Sequence, residues 1–117
     1  MKPNHVYAQA LAIARLRQWL RDRNAAAAGA ITNYARVGWR ARRASEADAR
    51  IVRMIDFERA LDSLPDEQKL ALIFHYAQGE TCRDAARLIG CSERKMSYLI
   101  PTARLNLTEI LDRQNLL

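Results

Sequence analysis

Glycine and proline are scarce in this chain, with four glycines and three prolines among 117 residues. Both residues disfavour the interior of a helix, so their rarity favours long helical segments. No stretch alternates apolar and polar residues in the way that a half-buried strand does. The sequence therefore predicts an all-α fold, a helical bundle of five or six helices joined by short connections.

Long apolar runs are also lacking, since no stretch approaches the roughly 20 apolar residues that span a bilayer. The first residues do not follow the layout of a secretory signal, in which a charged start leads into an apolar run. We therefore expect a cytoplasmic protein with no membrane partner.

Groups that bind metals or catalyse reactions are few. The two cysteines, Cys82 and Cys91, do not combine with a histidine in the spacing of a zinc site, and we expect both to pack as small apolar residues. His5 and His75 belong to no recognised nucleophile motif, and no glycine-rich phosphate loop is present. The sequence therefore predicts neither an enzyme nor a cofactor or metal site.

The positive charge is concentrated in the first part of the chain. Residues 1–50 carry ten basic and three acidic residues, a net +7, whereas residues 51–117 carry nine and ten, a net −1, which together give +6. The densest basic segment is a predicted short helix from Thr32 to Arg43, where Tyr34 and Trp39 lie among arginines. Such a segment could contact the phosphates of a nucleic acid, or be a solvated helix that its two aromatic residues anchor. We predict that residues 1–50 form a basic N-terminal helical extension.

Apolar residues recur at three- and four-residue spacing in each predicted helix, which indicates the buried faces. The first helix is predicted to stop at Gly29, and another to begin with Ser45 as its cap. The predicted inward positions are Val6, Ile13, Leu16 and Leu20 in the first helix; Ile51, Met54, Ile55, Leu61 and Leu64 in the helix after Ser45; Leu70, Ile73, Phe74 and Ala77 after Pro65; and Met96, Ile100, Ala103, Leu107 and Ile110 in the last helix.

The segment from Gly79 to Met96 has the pattern of a helix-turn-helix. Thr81 is placed to cap a first short helix, with Asp84 three residues later as in a capping box. Gly90 supplies the left-handed residue that ends this helix, and Ser92 is placed to cap the second. A helix that begins at Glu93 would present its first turn outward, where DNA-reading proteins carry base-contacting side chains.

A longer series of residues accompanies this motif in regular order and spacing: Leu64-Pro65, Lys69, Gly79, Thr81, Asp84, Ala86, Gly90, Ser92, Met96, Ala103-Arg104 and Leu107. The series resembles region 4 of bacterial sigma factors over roughly residues 57–113. The resemblance implies a helix-turn-helix domain over residues 51–117 that binds double-stranded DNA and contacts RNA polymerase or another transcription protein. Because only about 50 residues precede the match, we expect a region 4-like regulator of bacterial or phage type rather than a complete sigma factor.

With Met96 and Ile100 inward, the outward side chains of the second helix are the candidates for reading DNA. Arg94 could bond guanine, Glu93 could accept from cytosine, and Tyr98 could contact a phosphate or a thymine methyl group. The complete predicted DNA-binding set is Thr81, Arg83, Ser92, Glu93, Arg94, Lys95, Ser97 and Tyr98, together with Arg36, Arg40, Arg42 and Arg43 of the extension.

The recognition helix also departs from the family it resembles. Ser97, Leu99 and Thr102 stand where basic residues are common in that family, and Pro101 lies inside the helix, where it is expected to produce a kink. Leu99 widens the apolar face and could receive the N-terminal helices or a partner protein.

These departures leave two alternatives open. One is a module that binds RNA polymerase or a sigma factor without reading DNA, and the other is the DNA-binding component of a phage or mobile-element recombination system. The oligomeric state is also open between a monomer and a homodimer.

Overall fold

The computed structural model describes the backbone of residues 6–32 and 40–117, and the side chains of residues 6–26 and 48–117. Five α-helices form the fold: α1 (Val6–Thr32), α2 (Arg40–Asp62), α3 (Asp66–Leu72), α4 (Cys82–Ile89) and α5 (Glu93–Arg113). A π-helical turn, Ile73–Ala77, follows α3 directly, and no strand occurs in these residues. The predicted all-α fold with a helix-turn-helix is confirmed.

Two predicted helix boundaries are wrong. Helix α1 continues through Gly29 to Thr32, and α2 passes through Ser45 without a break. No glycine or proline occurs between residues 40 and 62, so nothing in the backbone chemistry interrupts α2 there. Of the predicted short helix Thr32–Arg43, residues 33–39 lie outside the described residues, and the last four residues belong to α2.

One apolar core joins α1, α2 and α5. Its buried members are Ala12, Ile13, Leu16 and Trp19 of α1; Phe57, Ala60, Leu61 and Leu64 of α2 and the turn after it; Leu72 of α3; and Ala103, Leu107 and Leu111 of α5. The N-terminal helix therefore packs directly on the last helix. Helix α2 crosses residue 50, and a domain division at that position stays a prediction.

The buried faces of several helices are rotated from those predicted. Val6, Ile51, Ile55 and Leu70 are exposed, although the apolar spacing indicated an inward position for each. In α2 and the turn after it, the predicted Leu61 and Leu64 are buried, and they are joined by Phe57 and by Ala60, a small residue that permits close approach of α1. Contacts with other helices decide which side of a helix is buried, and the spacing of apolar residues along the sequence does not reveal those contacts.

Polar contacts fix α1 on the rest of the molecule. Arg53 of α2 donates two hydrogen bonds of 2.9 Å to the Asp22 carboxylate of α1. Glu58 of α2 accepts from both the Trp19 indole and the Arg23 guanidinium at 3.1 Å. These contacts lie along one helix pair, so they set its register as well as its separation.

A second, smaller core holds the helix-turn-helix together. Its buried residues are Ala71 of α3, Ala85 and Ala86 of α4, and Met96 and Ile100 of α5. The partly buried side chains packed against it include Phe74, Leu99, Cys82 and Cys91. Leu99 thus packs on the core of the helix-turn-helix, and its role in receiving the N-terminal helices or a partner protein stays a prediction. Both cysteines pack against this core, as the sequence predicted.

Candidate nucleic-acid interface

Local hydrogen bonds shape the turn between α4 and α5. The Thr81 hydroxyl accepts from the Asp84 backbone N–H at 3.1 Å, and the Ser92 hydroxyl accepts from the Lys95 N–H at 3.0 Å. Gly90 has φ +85°, and the Ala86 carbonyl accepts from the N–H groups of both Gly90 and Cys91. Backbone groups at the start and end of α4 and at the start of α5 therefore find hydrogen-bond partners close by in the sequence. The three predicted capping residues are confirmed.

Replacement of Ser92 by alanine should lower the free energy of unfolding by about 1 kcal/mol, because the Lys95 N–H loses its acceptor. Urea denaturation would measure this difference. Ser97→Ala is the matched control, since Ser97 lies inside α5 and its hydroxyl only donates to the Arg94 carbonyl of the same helix. We expect a change within about 0.5 kcal/mol for that control. Equal effects of the two substitutions would show that the cap does not stabilise α5.

The first two turns of α5 have one inward and one outward side. Met96 and Ile100 are buried, whereas Glu93, Arg94 and Ser97 are exposed, and Tyr98 keeps 65 % of its surface exposed. No described part of α1 or α2 covers Arg94 or Tyr98. Helix α5 therefore presents a polar and aromatic side to solvent. Pro101 lies one turn further on, within a helix that continues to Arg113.

Lys95 is the predicted site residue whose charge is already engaged. Its ammonium group forms an ion pair of 3.0 Å with Glu67 of α3, and both side chains are about half exposed. Such an exposed pair contributes little to stability, so a phosphate could compete for the lysine. The contact joins residues 28 positions apart, and nothing in the local sequence indicates it.

The Cys82 thiol lies beneath the start of α5, with its Sγ atom 3.8 Å from the Glu93 carbonyl oxygen. Burial, the neighbouring Glu93 carboxylate and Cys91 together raise the pKa of this thiol. Cys82 is therefore neutral at pH 7 and adds no charge to this side of the molecule.

Helix α4 carries two exposed arginines. Arg83 lies in the first turn beside the exposed cap residue Thr81, and Arg87 follows one turn later on the same side of the helix. Both arginines are exposed, and neither forms an ion pair with the residues that the structure describes. Arg87 was absent from the predicted site, although its four-residue spacing from Arg83 was a usable signal.

The side chains of the predicted arginines of the extension are not described, in contrast to those of α4. Arg36 lies outside the described residues, whereas Arg40, Arg42 and Arg43 belong to the first turns of α2 but their side chains are not among those described. Within the described part of α1, Arg15, Arg17, Arg21 and Arg23 are exposed. That the arginines of the extension contact the same ligand as α5 stays a prediction.

Within residues 6–26 and 48–117, no three histidine, cysteine, aspartate or glutamate side chains group as a metal site requires. None of the helices in those ranges is both long enough and apolar enough to cross a membrane.

Residues 54–107 match the family model described as sigma-70, region 4. The match begins within α2, includes α3, the π-helical turn and α4, and ends in the second half of α5. No curated protein and no solved structure matches the chain.

Proposed function

We propose that the chain is a sequence-specific DNA-binding transcription regulator, because its residues 54–107 match the family model described as sigma-70, region 4. Domains of this family bind DNA and RNA polymerase. In this proposal the first two turns of α5 enter the major groove of double-stranded DNA, and α4 lies across the phosphate backbone. The protein is a region 4-like regulator of bacterial or phage type, and RNA polymerase is its second partner.

The outward side of α5 is the observation that carries the proposal. Arg94 and Tyr98 are exposed on consecutive turns of a helix whose start is fixed by the Ser92 cap and by Gly90. An arginine at this position fits the two acceptors of guanine, whereas Glu93 suits the amino group of cytosine. Because the helix end is fixed, binding has to order only these side chains and not the backbone that carries them.

Phosphate contacts would supply the affinity that does not depend on sequence. Thr81 and Arg83 at the start of α4, together with Arg87, offer a hydroxyl and two cations that pair with no described carboxylate. The +7 charge of residues 1–50 adds to the attraction for DNA. The near-neutral charge of residues 51–117 makes this contribution important, because neutralisation of phosphates dominates the affinity of most DNA-binding proteins.

The double substitution Arg94→Ala with Tyr98→Ala should abolish sequence preference. Selection of duplexes from a random pool by the full chain would first identify the preferred sequence. The double variant should then bind that sequence at least about tenfold more weakly, because the contacts to base edges are lost. Its affinity for unrelated duplexes, and the decrease of that affinity with salt, should change much less.

The matched control for this experiment is Arg113→Ala with Tyr7→Ala, which removes the same side-chain types from positions away from the first turns of α5. This control should keep the sequence preference. A wild-type chain that selects no sequence, or a double variant with unchanged preference, would contradict the proposal.

Binding to RNA polymerase or a sigma factor without DNA reading is the second candidate. The −1 net charge of residues 51–117 and the engagement of Lys95 by Glu67 favour it. This candidate predicts that the purified chain binds RNA polymerase, and that Arg94→Ala with Tyr98→Ala leaves this binding unchanged while no duplex is preferred.

A further inference from the structure

Helix α2 carries an apolar row on the side that faces away from the core. Ile51, Val52 and Ile55 are 43 %, 58 % and 41 % exposed, whereas Phe57 and Leu61 on the opposite side are buried. No described residue of the chain covers this row. A row of exposed apolar residues on a helix whose opposite side is already buried in the core is typical of an interaction surface.

Two opposite charges flank this row. Asp48 precedes it and Arg59 follows it, and both side chains are exposed. Neither forms an ion pair with another described residue. Asp48, Val52, Ile55 and Arg59 are separated by four, three and four residues, so they form one line along the helix. We call these four residues the α2 seam.

The α2 seam is complementary to itself when two copies run antiparallel. About a two-fold axis between residues 53 and 54, Val52 lies opposite the partner's Ile55, and Asp48 lies opposite the partner's Arg59. The two apolar pairs are then enclosed between two ion pairs. A parallel arrangement would instead place aspartate against aspartate and arginine against arginine. Because a two-fold interface requires self-complementarity, this pattern identifies a second copy of the chain as the occupant.

A groove beside the seam extends the surface that a second copy would cover. It has a volume of about 440 Å³ and lies between α1 and α2, with Trp19, Val52, Asp56, Phe57 and Leu116 among its lining residues. Val52 belongs to both the groove and the seam.

We propose that the protein forms a two-fold symmetric homodimer through antiparallel pairing of the α2 seams. A contact restricted to about three helical turns and one groove is at the small end of specific interfaces, below about 1,200 Å² in total. The dimer is therefore reversible, with a dissociation constant on the order of micromolar rather than nanomolar. The ion pairs determine the antiparallel orientation of the two helices more than they contribute to the affinity of the dimer. This inference does not depend on DNA binding and is tested without DNA.

Charge exchange at the two ends of the seam tests the pairing directly. Sedimentation equilibrium on the full chain should show a monomer–dimer equilibrium for the wild type. Asp48→Arg and Arg59→Asp should each weaken the dimer about tenfold or more, because each places like charges opposite one another twice. The double variant Asp48→Arg with Arg59→Asp restores both pairs in reversed order, and its dissociation constant should return to within about threefold of the wild-type value.

Arg87→Asp is the matched control, since it changes the charge of an exposed arginine on α4 and should leave the dimer intact. Ile55→Glu is an independent variant that should give a monomer, because it places a carboxylate between apolar residues. Thermal unfolding of each variant would verify that the fold is kept, as the exposure of these side chains leads us to expect.

Three results would overturn the proposal. The wild-type chain could remain monomeric at every concentration, which would assign the α2 seam to a different protein. Folded Asp48→Arg and Arg59→Asp could dimerise as the wild type does, which would place the interface elsewhere. A folded double variant could also fail to recover the dimer that the single variants lost, which would exclude the opposition of residues 48 and 59.

Discussion

Substitution of Leu107 by alanine is expected to destabilise the protein by about 2 to 5 kcal/mol. Leu107 is completely buried at the point where α5 meets α1 and α2, in the same core cluster as Leu16 and Leu61. The substitution removes apolar burial and leaves a cavity that three separate helices would have to move to fill. A domain of this size has a free energy of unfolding of about 5 to 15 kcal/mol, so the loss is a large fraction of the total.

Urea denaturation followed by circular dichroism would measure this loss. Leu88→Ala is the matched control, because Leu88 lies on α4 with an exposed side chain. We expect a change of less than about 0.5 kcal/mol for the control. A Leu107 variant that is as stable as the Leu88 variant would contradict the packing of α1, α2 and α5 around one core.

Arg53→Ala is expected to cost about 2 kcal/mol at pH 7, by the loss of the partner of a buried carboxylate. The Asp22 side chain is 5 % exposed and receives two bonds of 2.9 Å from Arg53 and one from Gln18. Removal of one partner from a fully buried ion pair lowers the free energy of unfolding by about 3 to 5 kcal/mol. The Arg53 side chain is 52 % exposed, so water partly screens the pair and the smaller figure applies.

The cost of this substitution should depend on pH in a defined direction. Burial alone would raise the pKa of the Asp22 carboxyl, but the hydrogen bonds from Arg53 and Gln18 outweigh burial and lower it. The stability from Asp22 is therefore present above the unfolded pKa, near 3.9, and is lost as the pH falls through the lower folded value. In Arg53→Ala burial predominates, so protonation of Asp22 relieves the unpaired charge.

Urea denaturation of the wild type and the variant at pH 7 and near pH 3 would measure this dependence. The difference between the two proteins should be largest at pH 7 and should shrink as the pH falls below about 4. Arg87→Ala, which removes an exposed arginine of α4 that has no carboxylate partner among the described residues, should be nearly neutral at both pH values. A constant difference between wild type and Arg53→Ala would show that the guanidinium acts only through packing.

The helix-turn-helix was predictable because its determinants are local. Thr81 and Ser92 each bond a backbone N–H three residues away, and Gly90 adopts a conformation that only its own lack of a side chain makes easy. Such features depend on neighbouring residues alone. The exposure of Arg94 and Tyr98 followed from the same local geometry, because the inward positions of Met96 and Ile100 fix the outward ones.

The features that sequence reasoning missed depend on contacts between distant residues. Ile51 and Ile55 fit the same apolar spacing as Leu61 and Leu64. Only the packing of the other helices on α2 leaves the first two exposed and the last two buried. The ion pair between Lys95 and Glu67 joins α5 to α3, and no periodicity indicates it. The π-helical turn at Ile73–Ala77 also has no local signature, since its residues would fit an ordinary α-helix equally well.

That widened turn gives Tyr76 contacts with both halves of the molecule. Its carbonyl accepts from Arg17 of α1 at 3.3 Å, its hydroxyl accepts from Arg104 of α5, and its ring packs against both apolar clusters. Arg104 in turn donates to Gln9 of α1, which closes a loop of polar contacts around the tyrosine. A displacement of α1 would therefore disturb Tyr76 and Arg104 together, in addition to the apolar core that α1 shares with α5.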